Sequence, residues 1–379
     1  MSYNVTIFGI HLKLSPIAFS IPIGSGHWDI YWYGIIIATG FLLALIYGLK
    51  NAPRYGLNSD RMLDVILVAT PVAILSARTY YVIFDGEKLN GIGDFFGFGT
   101  SSGFAGLAIY GGVIGGFLGG FVMCKIRKVN FRAMADIASL GFLIGQCIGR
   151  WGNFINQEAF GAQCSPDWIF GMTSVDIIRR DGLEAGALVH PCFLYESVWC
   201  LVGFIALHFY SKKLRTFDGE IMLMYLAWYG LGRAWIEGLR TDSLMAGDFR
   251  ISQVVAAACF AVCTVLVIVF KILTEKKHIP LYVNTEACRA LNEADEKAEE
   301  QRREKKLAKK TEQAPSILSE DAENVTLNDD SSESSESVES SKSSEPETVS
   351  SEETETSESP EAANETTETS DETDESEEQ

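Results

Sequence analysis

The sequence predicts an all-α polytopic membrane protein, with about seven transmembrane helices around a central polar cavity. Three observations carry that prediction: apolar runs of membrane-crossing length, basic residues after every second run, and a few charged residues at membrane depth. A bilayer core takes about 20 apolar residues of helix to cross. Runs such as "YGIIIATGFLLALIYG" after Trp32 and "ISQVVAAACFAVCTVLVIVF" ending at Phe270 meet that length. The expected spans lie near 30–49, 62–84, 104–124, 133–149, 191–211, 219–239 and 251–271.

Basic residues follow the odd-numbered spans. Lys50, Arg54 and Arg61 come after the first, and Lys125, Arg127, Lys128 and Arg132 after the third. Lys212, Lys213 and Arg215 come after the fifth, and Lys271, Lys276 and Lys277 after the seventh. The positive-inside rule then puts the N-terminus outside and the C-terminus in the cytoplasm. No basic segment with a cleavage site opens the chain, so no removable signal peptide is expected.

The net charge of −19 conceals two materials. From Glu312 to Gln379 there are 24 acidic residues and a single basic one, Lys342, which leaves residues 1–311 at +4. The expected organisation is a transmembrane domain over 1–275, a charged helix or linker over 276–311, and an acidic Ser/Glu/Thr-rich tail over 312–379. The tail has no aromatic residue and cannot bury enough apolar surface to offset its chain entropy, so it is expected to stay disordered.

Most of the eight cysteines fall inside apolar runs, where a thiol behaves as a small hydrophobe. A disulfide between Cys164 and Cys192 stays open at this stage. The third span holds "YGGVIGGFLGG", with Gly111, Gly115 and Gly119 on one stripe and Gly112, Gly116 and Gly120 on the next. Small residues at that spacing let helix backbones approach closely.

The ionisable residues at or near membrane depth are Arg78, Asp136, Arg150, Glu158, His190, Glu196, Arg233, Glu237 and Arg240. A charge at the bilayer centre costs about 2.5–3.5 kcal/mol on insertion scales, so each needs a partner or a task. Tyr229, Arg233 and Glu237 are spaced by four, and Arg240 follows Glu237 by three, which places them on one helical face. An Arg233–Glu237 ion pair is expected there. With Arg150 the cations still outnumber the partner, and surplus guanidinium suits a phosphate, which its planar fork binds through two parallel hydrogen bonds. "GRWGNFINQEAFG", from Gly149 to Gly161, is expected to close the fourth span. Its glycines let the backbone turn, and Asn153 and Asn156 can donate to ester or phosphate oxygens. "HPCFLYE", from His190 to Glu196, opens the fifth span with Pro191 in the first turn, and leaves His190 open between a structural and a catalytic role.

Together these motifs resemble a known family, the bacterial prolipoprotein diacylglyceryl transferases. The likeness rests on "GRWGNFINQE", "WYG" at 32–34, "YGG" at 110–112, "HPCFLYE" and the spacing of Tyr229, Arg233, Glu237 and Arg240. It implies transfer of a diacylglyceryl group from phosphatidylglycerol to the lipobox cysteine of a preprolipoprotein signal peptide, with a thioether formed and glycerol phosphate released. It also implies that Arg150, Asn153, Glu158, Gly161, Tyr33, Tyr229, Arg233, Glu237 and Arg240 are site residues, with Tyr81 and Asp136 as further members. One position departs: several members have His-Gly-Gly where this chain has Tyr110-Gly111-Gly112. Tyr110 is expected to hydrogen-bond the lipid head group or the thiol, leaving Glu158, His190 or water to take the proton.

On charge grounds Arg150 and Arg233 are assigned to the phosphate, Glu237 to orienting Arg233 and Arg240, and Glu158, Asn153 and Asn156 to the head-group end. No metal or cofactor is expected, because guanidinium supplies the positive charge. The expected partners are phosphatidylglycerol, preprolipoproteins and the bacterial plasma membrane, with no nucleic acid. The alternative is a membrane transporter of an anionic substrate, since intramembrane arginines also mark pathways.

Overall fold

The computed structural model describes residues 3–24, 26–85, 92–96, 106–240, 245–246 and 249–323. The chain begins with strands β1 (Tyr3–Ile7), β2 (Ile10–Leu14), β3 (Ile17–Ile23) and β4 (Gly26–Tyr31). Helices α1 (Trp32–Asn51), α2 (Ser59–Asp85), a short α3 (Ile92–Phe95), α4 (Ile109–Ile126) and α5 (Phe131–Asn156) follow. Then come β5 (Met172–Ser174), α6 (Val175–Asp181), α7 (Cys192–Lys213), α8 (Glu220–Ile236), β6 (Met245–Ala246), β7 (Phe249–Arg250), α9 (Ile251–Lys277) and α10 (Glu286–Glu323). The chain divides into two units, Met1–Lys310 and Thr311–Gln379. The acidic tail from 324 onward lies outside the described residues.

The helical class holds. Among the described residues α1, α2, α4, α5, α7 and α9 are long and apolar enough to cross a membrane. Helix α8 corresponds to the remaining expected span but has only 17 residues, continued by a 3-10 turn over Glu237–Leu239. The short strands are an addition to the all-α expectation. β1 pairs antiparallel with β2 and with β5, and β3 pairs with β4 in a hairpin that runs directly into α1. They are short segments outside the apolar runs, so hydropathy does not mark them.

Helix α5 sits centrally, packed on α1, α7 and α8. Ala133, Ile137, Leu140 and Leu143 on it are fully or almost fully buried. In lipid such contacts stabilise by close packing rather than by exclusion of water. α4 lies along α2, and one glycine stripe explains how. A Cβ on Gly111 would stand 2.4 Å from the Ser76 carbonyl oxygen, and one on Gly115 would stand 2.3 Å from Ser76 Cβ. The second stripe is looser, with ordinary contacts of 3.5 Å at Gly112 and 3.8 Å at Gly120 and a tighter one of 3.3 Å at Gly116.

α7 and α8 are joined by reciprocal tryptophans. The Trp199 and Trp228 rings stack at 4.4 Å, and each indole N–H donates to the other's carbonyl at 3.0 Å. Gly203 receives Trp228 and Gly232 receives Trp199, since a Cβ at either would lie 2.3 Å from the indole nitrogen.

Asp136 has a structural place here. It is fully buried and accepts from the backbone N–H groups of Gly219 at 2.8 Å and Met222 at 3.0 Å, capping α8, with Arg215 at 3.6 Å. A carboxylate at a helix N-terminus satisfies otherwise orphaned donors. Arg78 is likewise buried and donates to the carbonyls of Phe95, Asp94 and Gly106. Cys164 and Cys192 are both free thiols, which closes the disulfide question in the negative.

Candidate active site

The site forms where the ends of α5 and α8 meet the start of α7, at the end of the bundle opposite the Lys/Arg-rich turns. α5 runs seven residues past the expected limit of 149, to Asn156, so Arg150 and Asn153 stand on its last turns. Gln157 then caps it in the left-handed conformation, φ 54°. Glu158 N–H donates to the Asn153 carbonyl at 3.0 Å, which folds the loop back over the helix end.

The hub is Glu196, on the second turn of α7 and only 5 % exposed. Its carboxylate meets Arg150 Nη2 at 2.6 Å, Arg233 Nη1 at 3.1 Å and Arg240 Nη1 at 3.6 Å. Arg233 also pairs with Glu237 at 2.5 Å, the expected contact along one helical face. Among the described residues, three guanidiniums therefore gather on two buried carboxylates, Glu196 and Glu237.

Arg240 departs from the expected geometry. α8 ends at Ile236, and Arg240 has an extended backbone beyond the 3-10 turn. A bridge pairs it with Gly161 and returns it to the cluster. Gly161 is needed for that crossing. A Cβ there would lie 2.8 Å from both Cys192 Sγ and the Leu239 carbonyl oxygen, and 2.9 Å from His190 Cβ.

A second arm of polar groups leads outward. Arg150 Nη1 donates to Asn153 Oδ1 at 3.3 Å, and Asn153 Nδ2 donates to Glu158 Oε1 at 2.9 Å. Asn156 Nδ2 reaches the same oxygen at 3.5 Å, and Glu158 itself is exposed. Tyr33 stands at the start of α1. Its ring fits against Gly152, where a Cβ would stand 2.4 Å from the ring. Tyr229 stacks on Tyr225, with ring centroids 6.1 Å apart. Beneath it, Gln146 donates to the Tyr225 hydroxyl at 3.0 Å.

His190 precedes α7 and supports the loop. Pro191 is the N-cap and α7 starts at Cys192, one residue later than expected. The Trp168 indole donates to the Tyr195 hydroxyl at 2.8 Å, which leaves the hydroxyl hydrogen for His190 Nδ1 at 3.1 Å. Burial lowers the pKa of this imidazole below its ordinary value, so it is neutral at neutral pH.

Two expected residues stand on the α2–α4 pair. Tyr110, on α4, is 68 % exposed and has the Tyr80 ring 6.5 Å away. Tyr81, on α2, packs against Gly106 and lies 5.6 Å from the Arg78 guanidinium. Two residues were missed. Arg250, at the end of β7, donates to the Glu237 carbonyl. Glu196 is one of the charges at membrane depth, and the sequence alone assigns it no role. Its signal was present: no Lys or Arg lies within four residues of it, so a buried carboxylate there needs a cation from another helix.

Fold and site together define a polytopic membrane protein with a cluster of arginines and glutamates among its helix ends. Residues 16–269 match the family described as prolipoprotein diacylglyceryl transferase, and the chain belongs to that family. Among its relatives is the phosphatidylglycerol–prolipoprotein diacylglyceryl transferase of Bacillus cereus (strain G9842), 42% identical over 253 residues. That match covers 66% of this chain and 91% of the relative. The protein of the same name from Bacillus mycoides (strain KBAB4) is 41% identical over 253 residues, with the same coverage of both chains.

Proposed function

We propose that this chain is a transferase that moves the diacylglyceryl group of phosphatidylglycerol to the cysteine thiol of a prolipoprotein, the first step of lipoprotein maturation. Family membership supports the reaction, and one observation supports the site: Glu196 joining Arg150, Arg233 and Arg240. The new bond forms between sulfur and the terminal glyceryl carbon. The bond from that carbon to the phosphate oxygen breaks, and glycerol phosphate leaves with the electron pair. Negative charge grows on the leaving phosphate. Preorganised donors aimed at such charge in a water-poor site are often the largest catalytic contribution.

Arg150 and Arg233 are assigned to the phosphate, with Glu196 and Glu237 fixing their planes. Arg240 adds positive field and, through Gly161, ties the outer loop to α8. A free thiol has a pKa of about 8.5, and nearby cations favour the thiolate that attacks. Glu158, exposed and held by Asn153 and Asn156, relays the thiol proton to solvent. Tyr33 and Tyr229 are assigned as hydrogen-bond donors to the bound lipid head group.

The recognised peptide carries a lipobox cysteine, and the membrane is the bacterial plasma membrane, with the site at its outer face and the tail in the cytoplasm. The basic turns at the far end of the bundle support that orientation. Catalysis belongs to residues 1–275, with 276–311 as a charged connection and 312–379 as an acidic tail. The comparisons lend no support to a transporter. Purified protein incubated with phosphatidylglycerol and a lipobox peptide tests the proposal. A peptide heavier by one diacylglyceryl group supports it, and an unmodified peptide with lipid intact contradicts it.

A further inference from the structure

The family match ends at residue 269, yet the chain just beyond it is docked on the membrane bundle. His278 caps α9 in the left-handed conformation, φ 49°, and turns the chain back. Tyr282 N–H then donates to Asp218 Oδ2 at 2.7 Å, in the turn between α7 and α8. Cys288 is buried and donates to the Gly56 carbonyl at 3.2 Å. Gly56 has φ +71°, and its bare Cα leaves the room: a Cβ would stand 2.6 Å from Cys288 Sγ and 2.8 Å from Val283 Cα.

The last tie is two-pronged. Arg61 at the start of α2 donates through Nε and Nη2 to the two oxygens of Asp295, both at 2.6 Å. Arg61 Nη1 also donates to the carbonyl of Arg127, at the end of α4, and Arg127 pairs with Asp64 of α2. Paired N–H···O bonds of this kind are the geometrically specific form of an ion pair.

We propose that residues 279–295 are a strap that ties the α2–α4 pair to the α7–α8 turn at the basic end of the bundle. The need for a strap follows from the packing. α2 and α4 pack chiefly on each other, through the Gly111/Gly115 stripe, and touch α1 and α5 only sparsely. A helix pair attached in this way can separate from the rest of the bundle. The strap fixes the pair at one end, so relative movement is confined to the opposite end, where Tyr81 and Tyr110 stand. It does not depend on the proposed reaction, and it concerns a segment outside the family match.

Hydrogen exchange on the full chain in detergent, read by mass spectrometry, tests this. The expected result is slow exchange over 281–295 and fast exchange over 300–309, where the helix is solvated. Asp295→Ala should speed exchange about fivefold over both 281–295 and 56–64, in line with the loss of one partly exposed, well-formed ion pair. Truncation after Lys310 should leave both segments unchanged. If Asp295→Ala lowers the yield of folded protein, the charge-exchanged pair Arg61→Glu with Asp295→Arg provides the second reading and should recover part of the protection. Exchange over 281–295 as fast as over 300–309 in the unaltered protein would overturn the strap. So would an Asp295→Ala protein in which 56–64 is as protected as before.

Discussion

Glu196→Gln is the sharpest perturbation of the site, because it keeps the side chain's shape and removes only its charge. In the structure this carboxylate holds Arg150 at 2.6 Å and Arg233 at 3.1 Å, with Arg240 at 3.6 Å. Breaking a fully buried ion pair costs about 3–5 kcal/mol. The Arg150 and Arg233 side chains keep 22 % and 20 % of their exposure, so solvent recovers part of that cost. A loss of about 2–3 kcal/mol of positioning is the reasonable scale, which corresponds to roughly 30–150-fold in rate. The loss should fall on kcat. The freed guanidiniums no longer share a competing anion, so KM for phosphatidylglycerol should stay level or fall. The assay is turnover of a lipobox peptide by purified protein across lipid concentrations, with thermal unfolding measured alongside. A folded variant with kcat within threefold of the original would refute the positioning role. A raised KM with unchanged kcat would refute it equally, since that pattern reports uniform binding.

Arg150→Lys and Arg233→Lys retain charge but lose the planar fork; each should lose most turnover while unfolding at about the original temperature, and a near-normal rate would count against direct phosphate contact. Gly152→Ala places a methyl 2.4 Å from the Tyr33 ring; it should displace the tyrosine and lower turnover about tenfold or more, whereas an unchanged rate would show that Tyr33 need not sit there. Tyr110→Phe should keep the shape of the pH–rate profile and lose at most part of the rate, since the exposed phenol lies beside Tyr80; complete inactivity at every pH with lipid still bound would make it a proton-transfer group. Truncation after Lys310 should leave turnover in detergent intact, and a large loss would give the acidic tail a part in the chemistry.

How much was legible in the sequence follows from what each signal measures. Hydropathy reports length and apolarity, so it locates the helices, but it cannot say that α5 continues through Asn156 when polar residues begin at Arg150. Four-residue spacing joins Arg233 to Glu237 correctly, because the helical turn of α8 runs on into the 3-10 turn that begins at Glu237. The same reasoning carried Arg240 onto the helix, although the chain leaves α8 at Ile236 and returns through the Gly161 bridge. Glu196 was the main loss. Its three partners come from α5, from α8 and from the segment after it, and contacts between separate elements leave no periodic trace in one sequence. Asp136 was read as a charge in need of a partner, which is right. That the partner is mainly the N-terminus of α8 is a fact of packing.

In the proposed reaction the guanidinium cluster expels a phosphate while a thiol takes the glyceryl carbon. Its most direct test follows both products together, the mass of the lipobox peptide and the amount of glycerol phosphate released, in one incubation with phosphatidylglycerol. The expected result is one glycerol phosphate for each diacylglyceryl-peptide thioether, no product from a peptide with serine at the lipobox cysteine, and loss of both signals together in Arg150→Lys. Glycerol phosphate released without peptide modification, or modified peptide still carrying phosphate, would contradict it.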